Sequence, residues 1–146
     1  MAFIDKTKKP YVQDRDELIF IGIELPFRRS IGVEGWFAST STTIDAVKTN
    51  IRQLLLTERG ERFFQPSLGL GLRKFLFEQM TSDSKIAIQN EIVQTFNKWL
   101  PFVEIKNIEV LSLDDKTSEK NTFSITVDFN ITKDPNTLES VQVEII

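Results

Sequence analysis

Between Ile51 and Glu78 the chain reads IRQLLLTERGERFFQPSLGLGLRKFLFE, and no other stretch limits the possible architectures as much. An amphipathic run leads into a Gly-centred turn carrying Arg59, Glu61 and Arg62. Pro66, Gly69 and Gly71 follow, and a second short apolar run ends at Phe77-Glu78. Backbone-special residues at this density, beside adjacent opposite charges, predict a defined turn between two helices.

The flanking pattern supports that reading. Ile44, Val47, Ile51, Leu54 and Leu55 repeat at helical spacing and give one apolar face, with the hydroxyl cluster Ser39–Thr43 supplying cap candidates and Asp45 in the first turn. Gly60 is the expected stop. Leu70 to Phe77 predicts a second, short helix with Leu72, Phe75, Leu76 and Phe77 apolar. A third runs from about Asp83 to Leu100, capped by Ser82 and ended by Pro101; Ile86, Ile92, Val93, Phe96, Trp99 and Leu100 form its expected stripe.

The remainder reads as β. Val103, Ile105, Ile108 and Val110 alternate with a slip near Asn107, which predicts a bulge. DDKTSEKN at 114–121 is an expected hairpin loop. Phe123, Ile125, Val127, Phe129 and Ile131 alternate without a break, KDPN at 133–136 predicts a turn, and Val141, Val143 and Ile145 form a last strand. Upstream, residues 1–16 read as an extended arm, Leu18 to Phe27 as a short strand closed by Pro26, and Gly32 and Gly35 as loop glycines. The expected fold is therefore α+β: an N-terminal arm at 1–16, then a single domain at 17–146, with about three helices on one face of a small antiparallel sheet that ends in a three-stranded meander.

Composition removes several function classes. The chain has no Cys and no His, which excludes thiol nucleophiles, thiolate or imidazole metal sites and Ser-His catalysis within it. A net charge of −3 gives no electrostatic reason to expect nucleic acid, and the cluster Lys6, Lys8, Lys9 reads as a solvated terminus. No apolar run reaches membrane-span length and no signal-peptide core is present, so a soluble, cytosol-made protein is expected. Gly69-Leu70-Gly71 lacks the third Gly of a dinucleotide fingerprint and the Gly-Lys-Ser/Thr of a P-loop. No cofactor and no metal are expected. Glu58, Glu61 and Glu78 are the acid–base candidates for glycoside hydrolysis, but no spacing singles out a pair. The apolar C-terminal strand is a candidate sheet edge that could pair with another chain.

Gly22-Ile23-Glu24-Leu25-Pro26-Phe27, Leu54-Leu55-Leu56-Thr57, Gly60-Glu61-Arg62, Pro66, Gly69 and Phe77-Glu78 together resemble the contractile-tail baseplate wedge, or sheath initiator, family, whose members are often labelled lysozyme-like. The likeness spans roughly residues 18–146. One departure stands out: members often carry a Glu-Pro-Arg or similar Pro-Arg motif at the end of the third helix, where this chain has Trp99-Leu100-Pro101-Phe102.

The resemblance implies a non-enzymatic virion protein, one copy to a wedge, six-fold arranged only within the baseplate. Its implied partners are baseplate wedge proteins and the tail sheath protein, with no membrane. Strand pairing with the sheath is expected through Phe123, Ile125, Val127 and Phe129 and through Val141, Val143 and Ile145. Arg59, Glu61, Arg62, Trp99, Pro101 and Phe102 are expected to contact a partner or to shape turns. A peptidoglycan-degrading enzyme and a generic interaction domain are the competing readings.

Overall fold

The computed structural model describes residues 19–30, 35–78, 81–113, 122–132 and 134–145. The expected arm at 1–16, Gly32 and the hairpin loop at 114–121 lie outside them. Two short strands, β1 (Gly22–Ile23) and β2 (Ser39–Thr40), pair antiparallel and lead into α1 (Thr43–Leu56). A 3-10 helix (Leu72–Phe77), α2 (Ser82–Trp99) and the meander β3 (Val103–Leu113), β4 (Thr122–Ile131) and β5 (Asp134–Ile145) follow. The α+β expectation holds: α1 packs on β5, α2 on β3, and the 3-10 helix touches both α2 and β5.

Local chemistry explains where the elements start and stop. Thr42 caps α1, its Oγ1 accepting from the Asp45 amide at 3.2 Å while donating to Asp45 Oδ2 at 2.6 Å. The helix ends at Leu56, not at Gly60: Thr57 is already extended (φ −78°, ψ 127°), and its hydroxyl and amide both donate to the Gln53 carbonyl, at 2.6 and 3.0 Å. A hydroxyl has taken the role expected of glycine. Likewise Thr81, not Ser82, caps α2, accepting from the Ser84 amide at 3.2 Å.

The core is a single cluster between the helices and one sheet face. Val47, Ile51, Leu54 and Leu55 enter from α1 as expected, and Leu70, Leu72, Phe75 and Leu76 from the following segment. Phe77, by contrast, projects into solvent. The α2 stripe is rotated from the expected one: Ile88, Ile92, Thr95 and Phe96 are buried, whereas Ile86 and Val93 are exposed. Ile88, Ile92 and Phe96 are spaced by four and stack on one face; Ile86 and Val93 fall beside it.

In the sheet, Phe123, Ile125, Val127 and Phe129 of β4 face the core with Val141, Val143 and Ile145 of β5. The β3 bulge lies between Ile105 and Asn107, where the alternation slips. The expected turn at 133–136 is shorter than its sequence suggests, because β5 begins at Asp134, opposite Ile131.

Phe96→Ala removes a fully buried ring from the centre of this core and is expected to lower unfolding stability by about 3–5 kcal/mol in urea denaturation. Val93→Ala, one turn earlier but off the stripe, is expected to change it by about 0.5 kcal/mol or less.

Candidate functional site

The segment after α1 is a hydrogen-bonded connection in which nearly every signature residue has an assignable task. The Leu70 amide donates to the Thr57 carbonyl at 3.1 Å, and the Gly60 amide to the Pro66 carbonyl at 2.8 Å. These bonds bring two distant backbone stretches into contact at Gly69. With φ at +106°, a Cβ there would lie 2.2 Å from the Thr57 carbonyl oxygen, so only glycine fits.

The charges of the turn are similarly employed. Glu61 accepts from the Glu58 amide at 2.9 Å, and Glu58 accepts from the Arg73 amide at 3.1 Å, at the start of the 3-10 helix. Arg59 pairs with Glu91 on α2 and donates from Nε to the Gly69 carbonyl at 3.3 Å. This pair is part exposed and contributes on the order of 1 kcal/mol or less; its value lies in fixing the loop against α2.

Of the sequence-nominated turn residues, Arg59 and Glu61 therefore hold the connection together, while Arg62 is exposed. Beside it, Phe63 and Phe64 are 91% and 93% exposed and pack edge to face, ring centroids 5.4 Å apart. Sequence reasoning missed this pair. The signal was available, because two adjacent Phe in a loop with neither helical nor strand periodicity have no shared core face to enter.

Trp99 is half-buried against the core, with the Lys98 ammonium 5.1 Å from its ring centroid. Leu100 is buried, whereas Pro101 and Phe102 are exposed. The Phe102 carbonyl accepts from both the amide and the hydroxyl of Thr132, at 3.0 Å each, which ties this turn to the β4–β5 turn. Where the resemblance leads one to expect charges around Pro101, one position packs inward and the other presents an aromatic ring.

The sheet edges can be read from one side-chain bond. Gln89 on α2 donates from Nε2 to the Ile108 carbonyl at 2.8 Å, so that carbonyl points away from β4. In an antiparallel ladder a residue's N–H and C=O point to the same neighbour and alternate along the strand. Ile108 is opposite Val127, so Val127 must direct its groups toward β5, and Val141, opposite Val127, directs its own back toward β4. By the same parity Val143 and Ile145 also bond inward, while Ser140, Gln142 and Glu144 turn their main-chain groups outward.

This corrects the nomination of β4. It is the central strand, paired on both sides, so Phe123, Ile125, Val127 and Phe129 offer no open edge. On β5, by contrast, the outward main-chain groups of Ser140, Gln142 and Glu144 lie on the side away from β4. Among the described residues, no group of three or more potential metal ligands converges.

The sequence matches the family profile described as baseplate wedge protein gp25 over residues 41–136. The chain belongs to that family. It is similar to the baseplate wedge protein gp25 of Enterobacteria phage T4, at 22% identity over 107 residues, covering 73% of this chain and 78% of the phage protein. Among solved structures, a tail-lysozyme candidate from Geobacter sulfurreducens shares the fold with a TM-score of 0.62 at 21% identity, over 73% of this chain and 92% of the other. A chain of the anti-feeding prophage baseplate aligns with a TM-score of 0.61 at 23% identity, over 78% and 86%. A chain of the type VI secretion baseplate complex aligns at 0.53 and 15% identity, over 70% and 91%. As a family member, the protein is a structural component of a contractile-tail baseplate.

The glycines offer a graded test of the connection. Gly60 also has a positive φ, but a Cβ there meets nothing within 4 Å. Gly60→Ala is expected to cost about 1–2 kcal/mol of backbone strain. Gly69→Ala, which adds a collision with the Thr57 carbonyl, is expected to cost clearly more. Paired thermal melts read the difference.

Proposed function

We propose that this chain is the wedge component on which the first sheath ring is laid down, and that it does so by offering the outer edge of β5 to an extended segment of the sheath protein. The observation that carries the reading is the parity of β5. Its apolar residues Val141, Val143 and Ile145 are buried and spend their amides on β4. The alternate residues Ser140, Gln142 and Glu144 leave main-chain donors and acceptors at the boundary of the sheet, which is the pattern an added strand needs. Main-chain pairing fits a templating role, because it supplies affinity with little demand on side-chain identity.

The second contact, toward the wedge, is assigned to Arg62, Phe63 and Phe64. Two nearly bare aromatic rings on a hydrogen-bonded loop form a pre-shaped apolar projection, of the kind found at protein interfaces. A structural role also accounts for the carboxylates once considered for hydrolysis: Glu58 and Glu61 are engaged with backbone amides of the connection.

Deleting residues 138–146 is a poor test, since it strips Val141, Val143 and Ile145 from the core. A single proline is sharper. Gln142→Pro removes one outward N–H and blocks an added strand, whereas Val141→Pro removes an N–H used within the sheet. Gln142→Ala is the control, because it too loses the side-chain bond to Ser124 Oγ while keeping the amide. Baseplates carrying each variant are incubated with sheath protein and imaged. Sheath is expected to grow on the Gln142→Ala baseplate and to fail on a folded Gln142→Pro baseplate. Full growth on the latter rejects pairing at this edge.

A further inference from the structure

The meander has two outer strands, and they are not equivalent. Along β3 the edge is interrupted three times within a few residues. The bulge between Ile105 and Asn107 breaks the ladder spacing, and Lys106 is ion-paired with Glu104 at 2.7 Å beside it. Immediately after the bulge, the outward carbonyl of Ile108 is occupied by the Gln89 amide at 2.8 Å. Gln89 is half-buried and is carried on the turn of α2 that also carries the fully buried Ile88, so its donor is held in place rather than sampling solvent. Between α2 and β3 remains a cleft of about 520 Å³, lined mainly by polar side chains that include Asn90, Asn97 and Asn107. The cleft leaves this side of β3 partly open, yet the central acceptor is already taken.

We propose that Gln89 is an edge guard: it closes β3 to strand addition and so restricts pairing to β5. The inference deepens the strand-pairing reading and rests on it for its purpose, but the guard itself concerns only β3. A strand entering the cleft would have to displace the Gln89 amide from Ile108 and accommodate the register break at Lys106. Either alone weakens pairing; together they make β3 a poor template, in the manner of edges protected by bulges and charges. The partner excluded is any extended segment, including β3 of a second copy of this chain.

The test compares purified full-length Gln89→Leu, Gln89→Lys and wild-type protein by sedimentation velocity over a concentration series, with circular dichroism to confirm folding. Leu keeps the bulk and removes the donor; Lys keeps a donor that can reach the carbonyl. Gln89→Leu is expected to self-associate at least tenfold more tightly than wild type, and Gln89→Lys to match wild type. Adding Gln142→Pro to Gln89→Leu locates the new contact. Association that persists in the double variant assigns it to β3, and association that disappears assigns it to β5 and overturns the guard. A folded Gln89→Leu protein that associates no more than wild type overturns it as well. None of these outcomes depends on sheath, so the guard can fail while β5 pairing stands, and the reverse.

Discussion

The approach of Gly69 to the Thr57 carbonyl is the constraint on which the rest of the domain depends. It lets the backbone return to the end of α1 immediately after a solvent-exposed loop, and it places Leu70 at the start of a new apolar run. From there Leu70, Leu72, Phe75 and Leu76 fill the space between the two long helices and the sheet. A chain displaced here by a side chain would have to move those four residues, and packed interiors tolerate little movement. The Glu58–Arg73 and Arg59–Glu91 contacts then brace the same junction from outside the core.

The sheet is organised by a different principle, the separation of side-chain direction from main-chain direction. β4 is paired on both edges and buried on its helix-facing side, so it serves as a keel and offers no open edge. Its other face carries Thr126 and Asp128, with Asp128 accepting from Asn107 at 3.3 Å across to β3. The burial of β5's apolar residues is what keeps its outward amides in a regular row.

Much of this was legible in the chain. Alternation from Phe123 to Ile131 located β4, and the slip near Asn107 located the bulge, because a two-residue period leaves no room for an extra residue without a visible phase change. Helical ends were less legible: Thr57 and Thr81 displaced Gly60 and Ser82 as the terminating and initiating residues, since hydroxyls cap as well as turn and neighbouring candidates look alike. The α2 stripe was misplaced because Ile86 and Val93 supplied apolar residues at plausible spacing, and only packing against β3 and the 3-10 helix selects Ile88 over them. The candidate contacts divide in the same way. Periodicity marked which side chains of the sheet are apolar, but it carries no information on which way a strand's amides point. That direction came from one Gln89 bond that no pattern announces.

The alternation of β5 has a consequence for anything laid against it. Outward groups recur only at every second residue, and successive side chains face alternately toward solvent and toward the helices. A strand pairing there can therefore slide only in steps of two residues, because a step of one would turn its apolar side chains into water. Under the proposed pairing, the edge works as a ruler with a pitch of two residues, setting the phase of an added segment before any of its side chains has been recognised.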